Sequence, residues 1–329
     1  MMGRILGKQP VGAVFRALVS LALISTLFIA HDWRDGFARV GDAALAGICI
    51  GLSMFALRNL AHALRWKTLL DAVGVRAEFG WVHRVTYIGA SASTFLPSSI
   101  GGDLARGWWA HGHGLSVRET AATVVVDRLI GILSMFLLFV LAAPFAEMSV
   151  DPIHPSFAGA TIAVAGIVVT TALLVSRLTT ARRRLTEALQ AVRRSVGSME
   201  PGNGLRHLGS ALFWSGLGHL AALAAVVAFA RAVDVQIPTL SIMAATAVSW
   251  LASLMPISLG GFGPREAVLA SLLVRAGTAP EDAIAVAILW DLAIVIQAIV
   301  GMVAATIPGT DRRTGATTHD SERGSPASP

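Results

Sequence analysis

Residues 94–106 read TFLPSSIGGDLAR, and residues 253–266 repeat the pattern as SLMPISLGGFGPRE. In both stretches a proline lies four residues before the first glycine of a Gly-Gly pair and five before the second. An acid and an arginine follow near the start of a short predicted helix. Each stretch interrupts or directly follows an apolar segment, residues 82–100 and 239–259. Proline lacks a backbone N–H and glycine costs conformational entropy, so both interrupt helices. The sequence therefore predicts two re-entrant or broken helices.

The composition places these segments in a membrane. Of the 329 residues, 54% are apolar and 14% are charged, whereas a soluble domain carries about 25% charge. Mean hydropathy is +0.67. The net charge of +6 does not indicate nucleic acid, because the basic residues flank long apolar runs and form no stripe with aromatic residues. With Cys49 as its one cysteine, the chain has neither a disulfide framework nor a cysteine-based metal site.

We expect an all-α, polytopic membrane protein with about six full spans besides the two broken helical hairpins. A span needs roughly 20 apolar residues, and six segments meet this length: 11–30, 41–63, 122–145, 157–176, 208–230 and 282–307. Residues 1–307 would form one transmembrane domain, including a basic cytoplasmic loop at 177–206. The tail, 308–329, is rich in Ser, Thr, Gly and Pro and is expected to be disordered.

The distribution of basic residues predicts the orientation. With a cytoplasmic N-terminus, 20 of the 26 basic residues, among them Arg58, Arg65 and Arg106, fall in segments counted as inside. Only Arg34, Arg39 and Arg231 fall outside, and Arg128, Arg265 and Arg275 stay in or near the membrane layer. The positive-inside rule therefore predicts that both termini are cytoplasmic, in a bacterial inner membrane.

The resemblance between the two stretches extends beyond their Gly-Gly pairs. A glycine turn follows each (Gly114, Gly277), and then a full span that carries an acid (Asp127, Asp291). In the expected orientation the first hairpin enters from inside and the second from outside, which is an inverted-topology repeat. Transporters with such repeats bind their substrates near the midplane, where the N-termini of half-helices meet anionic groups.

This argument assigns a candidate substrate site to both halves. We expect the backbone N–H groups at the two Gly-Gly pairs and three arginines to bind a headgroup phosphate. Nearby acids would orient the arginines or meet a cationic headgroup. The alternative is that the glycines only allow close helix packing and that the charges form structural ion pairs. The candidates are Gly101, Gly102, Gly260, Gly261, Arg106, Arg128, Arg265, Asp103, Asp127 and Glu266.

Several local expectations accompany this site. We expect Arg106 to pair with Asp127, and Asp103 or Glu266 to pair with Arg128, because an unpaired charge inside a span is costly. Asp103 is expected to cap a helix that begins at Leu104, and Pro264 to occupy a first helical position. The segment His62, Arg65, Trp66 and Lys67 is placed at the cytoplasmic surface, with side chains that snorkel, although Arg65 could also recruit a lipid phosphate. No nucleotide or metal motif is present, so we predict no cofactor.

The paired motifs also resemble a known family. Leu96-Pro97, Gly101-Gly102-Asp103, Arg106 and Asp127-Arg128-Leu129, with Pro256, Gly260-Gly261-Phe262-Gly263 and Arg265-Glu266 later in the chain, are similar to the transmembrane region of bacterial lysylphosphatidylglycerol synthases. The resemblance covers roughly residues 10–307. Full-length members join this region to a soluble aminoacyltransferase domain, which we do not find here. The resemblance therefore implies lipid translocation or the handling of lipid-linked sugars.

We expect a flippase-like protein whose partners are membrane lipids, either anionic phospholipids or polyprenyl-phosphate-linked ones. Two other functions stay open. One is a membrane transferase that acts on a lipid-linked sugar or a phospholipid headgroup, with Asp103 or Glu266 as base. The other is an accessory subunit that recruits a synthase through the 177–206 loop, and a homo-oligomer is open as well.

Overall fold

The computed structural model describes residues 33–72, 74–95, 101–112, 117–142, 201–253 and 262–307. Within these ranges the chain forms nine helices and no strand, in agreement with the all-α prediction. The helices are α1 (Trp33–Gly41), α2 (Leu45–Ala72), α3 (Phe79–Phe95), α4 (Gly101–Gly112), α5 (Val117–Ala142), α6 (Pro201–Ala232), α7 (Thr239–Ser253), α8 (Pro264–Arg275) and α9 (Pro280–Thr306).

Three of the described helices are long and apolar enough to cross a bilayer: Leu45–Ala72, Gly204–Ala232 and Pro280–Thr306. They coincide with the predicted spans at 41–63, 208–230 and 282–307. A helix of 26 residues, α5, occupies most of the predicted span at 122–145. The predicted spans at 11–30 and 157–176, most of the 177–206 loop and the 308–329 tail lie outside the described residues.

The two predicted broken segments begin with short helices. Helix α3 has 17 residues and α7 has 15, so at 1.5 Å per residue they extend about 25 and 22 Å, less than the roughly 30 Å of a hydrocarbon core. Each is followed by a helix of 12 residues, α4 and α8, as predicted. The connections themselves, 96–100 and 254–261, lie outside the described residues.

Helices α2 and α6 form the central pair of the bundle. A Cβ on Gly47 would lie 2.8 Å from Ala232 Cβ, Gly51 faces the ring of Phe229, and a Cβ on Gly218 would lie 2.9 Å from His62 Cδ2. Residue numbers rise along α2 while those of their partners fall along α6, so the two helices are antiparallel. Glycine at these crossings lets the two backbones approach closely.

The other helices pack around this pair. Helix α3 contacts α2, α4 and α9, and α7 contacts α6, α8 and α5. Helices α5 and α9 each contact both central helices. The largest buried apolar cluster joins α6, α8 and α9 through residues that include Phe229, Leu269, Leu273, Val286 and Leu289.

Two features differ from the sequence-based expectations. Helix α1 was not predicted, and it is held to the start of α9 by an ion pair between Arg39 Nε and Asp282 Oδ1 at 2.8 Å. Helix α2 continues nine residues beyond the predicted end at residue 63, to Ala72. Because Trp66 is fully buried and Arg65 is 7% exposed, the expectation that these two side chains snorkel at the surface was wrong, whereas Lys67 is partly exposed.

Candidate functional site

A cavity of about 260 Å³ lies inside the bundle, and residues of every described helix except α1 line it. Among the described residues, its charged lining consists of four arginines, Arg58, Arg65, Arg106 and Arg265, and one carboxylate, Asp127. At about 30 Å³ per water molecule, this volume suits a polar headgroup. The cavity wall is therefore strongly basic.

Asp127, on α5, is the centre of the first charged cluster. Arg65 binds it in a bidentate manner, with Nε to Oδ1 at 2.7 Å and Nη2 to Oδ2 at 3.0 Å. Arg106 donates from Nη1 to Oδ2 at 3.2 Å and from Nη2 to Asp103 Oδ1 at 2.5 Å. Arg128 donates to the other oxygen of Asp103. The Asp127 cluster consists of Arg65, Asp103, Arg106, Asp127 and Arg128. Its contacts confirm the expected pairs Arg106–Asp127 and Arg128–Asp103.

Neutral polar groups extend this cluster to α6. Arg65 Nη1 donates to Ser215 Oγ at 2.9 Å, and Ser215 lies 2.6 Å from Ser134 Oγ. The ring of His219 donates from Nε2 to the carbonyl of Gly131 at 2.9 Å. Arg65 thus joins α2, α5 and α6 through a buried network, in which each charge-assisted bond is stronger than a neutral one.

The second charged cluster lies at the start of α8 and consists of Arg265, Glu266 and Asp291. Arg265 Nη2 donates to Glu266 Oε1 and to Asp291 Oδ1, both at 2.5 Å. Its guanidinium lies 5.1 Å from the ring centres of Phe262 and Trp290. This Arg265 cluster therefore connects α8 with α9 and holds a buried cation between two acids.

The local sequence explains how α8 begins. Pro264 occupies the first helical position, as predicted, and Gly263 before it has a φ of 98°, which favours glycine. Glu266 Oε2 accepts a hydrogen bond from the Gly263 N–H at 2.5 Å. Glu266 therefore satisfies a free N–H of the helix start besides pairing with Arg265.

Arg58 differs from the other charged residues of the cavity wall. Its Nη1 donates to Asn59 Oδ1 at 3.3 Å and to Gln297 Oε1 at 3.2 Å, and its guanidinium lies 4.8 Å from the Phe55 ring centre. Within the described ranges no carboxylate forms an ion pair with it. The two amide oxygens accept hydrogen bonds from the Arg58 guanidinium, but they are neutral and leave its positive charge uncompensated.

The structure places the predicted site residues in three groups. Gly102, Arg106, Asp127 and Arg265 line the cavity, whereas Asp103, Arg128 and Glu266 stand behind them as hydrogen-bond partners. Gly101 is the first residue of α4, and Gly260 and Gly261 lie outside the described residues.

Gly102 and Asp103 have structural roles that differ from those predicted. A side chain on Gly102 would collide with the Gly89 carbonyl and Ser93 Oγ, so this glycine allows α3 and α4 to pack closely. Helix α4 already includes Gly101. The expectation that Asp103 caps a helix beginning at Leu104 was therefore wrong, and its carboxylate binds two arginines instead.

Sequence reasoning did not assign Arg58 and His62 to a site, and it gave Arg65 only as an alternative, as a residue that could recruit a lipid phosphate. Arg58 lies within the predicted span at 41–63, and the cost of a charge inside a span was a signal that could have identified it. Arg58, Arg65 and Arg106 line the cavity, so they carry no weight in the orientation count. Without them, 17 basic residues remain inside and three outside.

Comparison with known proteins places this site in a family. Among the described residues, no group of three or more His, Cys, Asp or Glu side chains could hold a metal ion. A comparison with curated proteins finds no match. The model of one family, the lysylphosphatidylglycerol synthase TM region, matches residues 13–301. The chain is therefore a multi-pass membrane protein that belongs to the lysylphosphatidylglycerol synthase transmembrane-region family.

Proposed function

We propose that the protein is a lipid translocase that moves a phosphate-bearing lipid between the two leaflets of the bacterial inner membrane. The observation that carries this proposal is the cavity, in which four arginines face one carboxylate. A charged side chain at the centre of a membrane helix costs about 2.5–3.5 kcal/mol unless it is paired or hydrated. Arginines that line a cavity between apolar helices therefore support a path for a charged substrate.

The pattern of helix contacts supports an inverted repeat of α2–α5 and α6–α9. Exchanging the two halves converts the α3–α4 contact into α7–α8, α4–α5 into α8–α9, and α2–α3 into α6–α7, and all six contacts are present. A contact between the halves also has its counterpart, because the exchange converts α3–α9 into α7–α5 and both contacts are present. Because α2 and α6 are antiparallel, the same exchange reverses the direction of the chain.

The charged clusters correspond under this exchange. In each half, an arginine on the short helix binds one acid in its own first turns and a second acid on the following long helix. Arg106 does so with Asp103 and Asp127, and Arg265 with Glu266 and Asp291. We propose that the two clusters hold opposite ends of the cavity closed and that each opens towards one leaflet in turn.

A transferase is less well supported than a translocase by the same contacts. It would use Asp103 or Glu266 as base, but Asp103 already accepts hydrogen bonds from two arginines, and Glu266 accepts from the Gly263 N–H and from Arg265. A general base must be within reach of the proton that it removes. Carboxylates that are engaged in this way serve better as partners that orient arginines.

The proposal is tested in vesicles that contain the purified protein and a headgroup-labelled lipid, either phosphatidylglycerol or a polyprenyl phosphate. A membrane-impermeant quencher then reports how fast the label exchanges between leaflets. We expect exchange with at least one lipid, and Arg106→Gln to slow it at least tenfold. Lys67→Gln removes a charge from a surface pair with Asp71 and serves as the control.

Exchange no faster than in empty vesicles, for both lipid classes, would contradict the proposal. Mass spectrometry of the recovered lipid separates the alternatives, since a translocase leaves the lipid unchanged. A chemically altered lipid would support the transferase instead.

A further inference from the structure

Arg58 lies halfway along α2, a helix long and apolar enough to cross a bilayer, where an uncompensated charge is costly. It is the fourteenth residue of the 28 in α2, so about 20 Å of helix extends on either side of it. The other three arginines of the cavity wall each have a carboxylate within 3.2 Å. Among the described residues, the hydrogen-bond acceptors of Arg58 are the amide oxygens of Asn59 and Gln297.

The hydrogen bonds of Arg58 to other described residues orient its guanidinium but use only one of its three nitrogen atoms. Both bonds to amide oxygens leave from Nη1, and within the described ranges no hydrogen bond leaves from Nε or Nη2. A guanidinium can bind an oxyanion through two parallel N–H groups. The edge formed by Nε and Nη2 therefore suits one phosphate.

In the tautomer that carries its proton on Nε2, His62 supplies a second donor on the same face. It lies four residues after Arg58 on α2, which places the two side chains next to each other, and both line the cavity. His62 Nε2 is buried and has no hydrogen-bond partner among the described residues. A buried polar atom without a partner costs free energy, and a ligand oxygen would remove that cost.

We propose that Arg58 and His62, with Gln297 holding Arg58 in place, form the phosphate-binding subsite of the cavity. The subsite takes a single phosphate group, either the phosphodiester of a lipid headgroup or free phosphate. Arg65, Arg106 and Arg265 then serve as ion-pair partners within the two charged clusters instead of as phosphate ligands, because their charges are matched by acids. This inference rests on the proposed function for its assignment to a lipid, but the subsite itself can be tested without transport.

The test uses the full chain in micelles of an alkyl maltoside detergent, which contains no phosphate, with inorganic phosphate and phosphatidylglycerol as separate probes. The thermal unfolding midpoint and the dissociation constant are measured for the wild type, Arg58→Gln, Arg58→Lys and Lys67→Gln. We expect at least one probe to raise the midpoint of the wild type and of Lys67→Gln. Arg58→Gln should lose this shift and bind at least tenfold more weakly, while its midpoint without ligand should not fall.

Arg58→Lys keeps the charge and should retain part of the shift, so it decides the question if Arg58→Gln does not fold. Stabilisation by phosphatidylglycerol alone identifies a lipid headgroup as the ligand, and stabilisation by both probes or by phosphate alone identifies a site for the bare anion. An unchanged shift in Arg58→Gln, or no response of the wild type to either probe, would overturn the subsite.

The transport assay keeps the two proposals apart. Anion binding that depends on Arg58 in a protein that moves no lipid would leave the subsite standing and contradict the translocase. Transport together with anion binding that does not depend on Arg58 would support the translocase and contradict the subsite.

Discussion

At the scale of single residues, Asp127 is the point on which the first half of the bundle depends. It is 2% exposed and accepts three hydrogen bonds from Arg65 and Arg106. Its neighbours come from α2, α4 and α5, so its carboxylate connects three helices. A buried ion pair need not add net stability, but breaking one is strongly destabilising because a charge stays buried without its partner.

We therefore expect Arg65→Gln to lower the free energy of unfolding by about 3 kcal/mol. Asp127→Asn should be comparable, and the double variant should be clearly less destabilised than the sum of the two, since it leaves neither charge unpaired. Reversible unfolding in mixed micelles measures all three. Simple additivity of the two changes would show that the residues do not interact energetically.

Glu266 offers a second test at this scale. Glu266→Gln removes the charge that faces Arg265 and weakens the bond to the Gly263 N–H, so we expect a loss of about 1–3 kcal/mol. Glu281→Gln, in the first turn of α9, is the matched control and should cost below about 1 kcal/mol. Equal losses in a thermal unfolding assay would mean that Glu266 acts only through the helix dipole.

At the scale of helices, glycines set the distances at which elements cross. Gly301 on α9 packs against the Tyr87 carbonyl, and a Cβ there would lie 2.8 Å from Ser91 Cβ. The backbone of α3 cannot retreat easily, because Arg84 Nε also donates to the Ala304 carbonyl at 2.9 Å. The α3–α9 crossing therefore needs a residue without a side chain.

Gly301→Ala should destabilise the protein by about 1–3 kcal/mol, as overpacking commonly does. Gly209→Ala is the control, because nothing lies within 4 Å of a Cβ at that position of α6, and alanine favours a helix by up to about 1 kcal/mol over glycine. Thermal unfolding should fall for the first variant and stay level or rise for the second. A neutral Gly301→Ala would show that the crossing tolerates a methyl group.

At the scale of the whole molecule, the predicted orientation in the membrane rests on the distribution of charge and on the direction of α2. Asp42 precedes this helix and Glu78 follows it, and both are exposed. The prediction that both termini are cytoplasmic places Asp42 outside and Glu78 inside.

Single cysteines at these two positions test the orientation, after the exposed Cys49 is replaced by serine. The outer envelope of the cells is first made permeable while the inner membrane stays intact. A membrane-impermeant maleimide should then label Asp42→Cys, and it should label Glu78→Cys only after the inner membrane is opened. The opposite pattern would reverse the topology, and equal labelling would show a mixed orientation.

The sequence by itself determined the membrane class, the four described long helices, and the two short segments with their 12-residue successors. These properties depend on composition, on length and on local effects of proline and glycine, so they can be recognised without knowing which residues meet. It also predicted two ion pairs, because a charge inside a span restricts its possible partners to the few other charges there.

Only the tertiary structure decided which arginines are neutralised. Arg58 and Arg65 lie seven residues apart on the same helix, and nothing local distinguishes them. Arg65 faces Asp127 from α5, whereas Arg58 faces Gln297 from α9. The charge that remains available to a ligand depends on contacts between residues more than 60 positions apart, and those contacts exist only once the helices have packed.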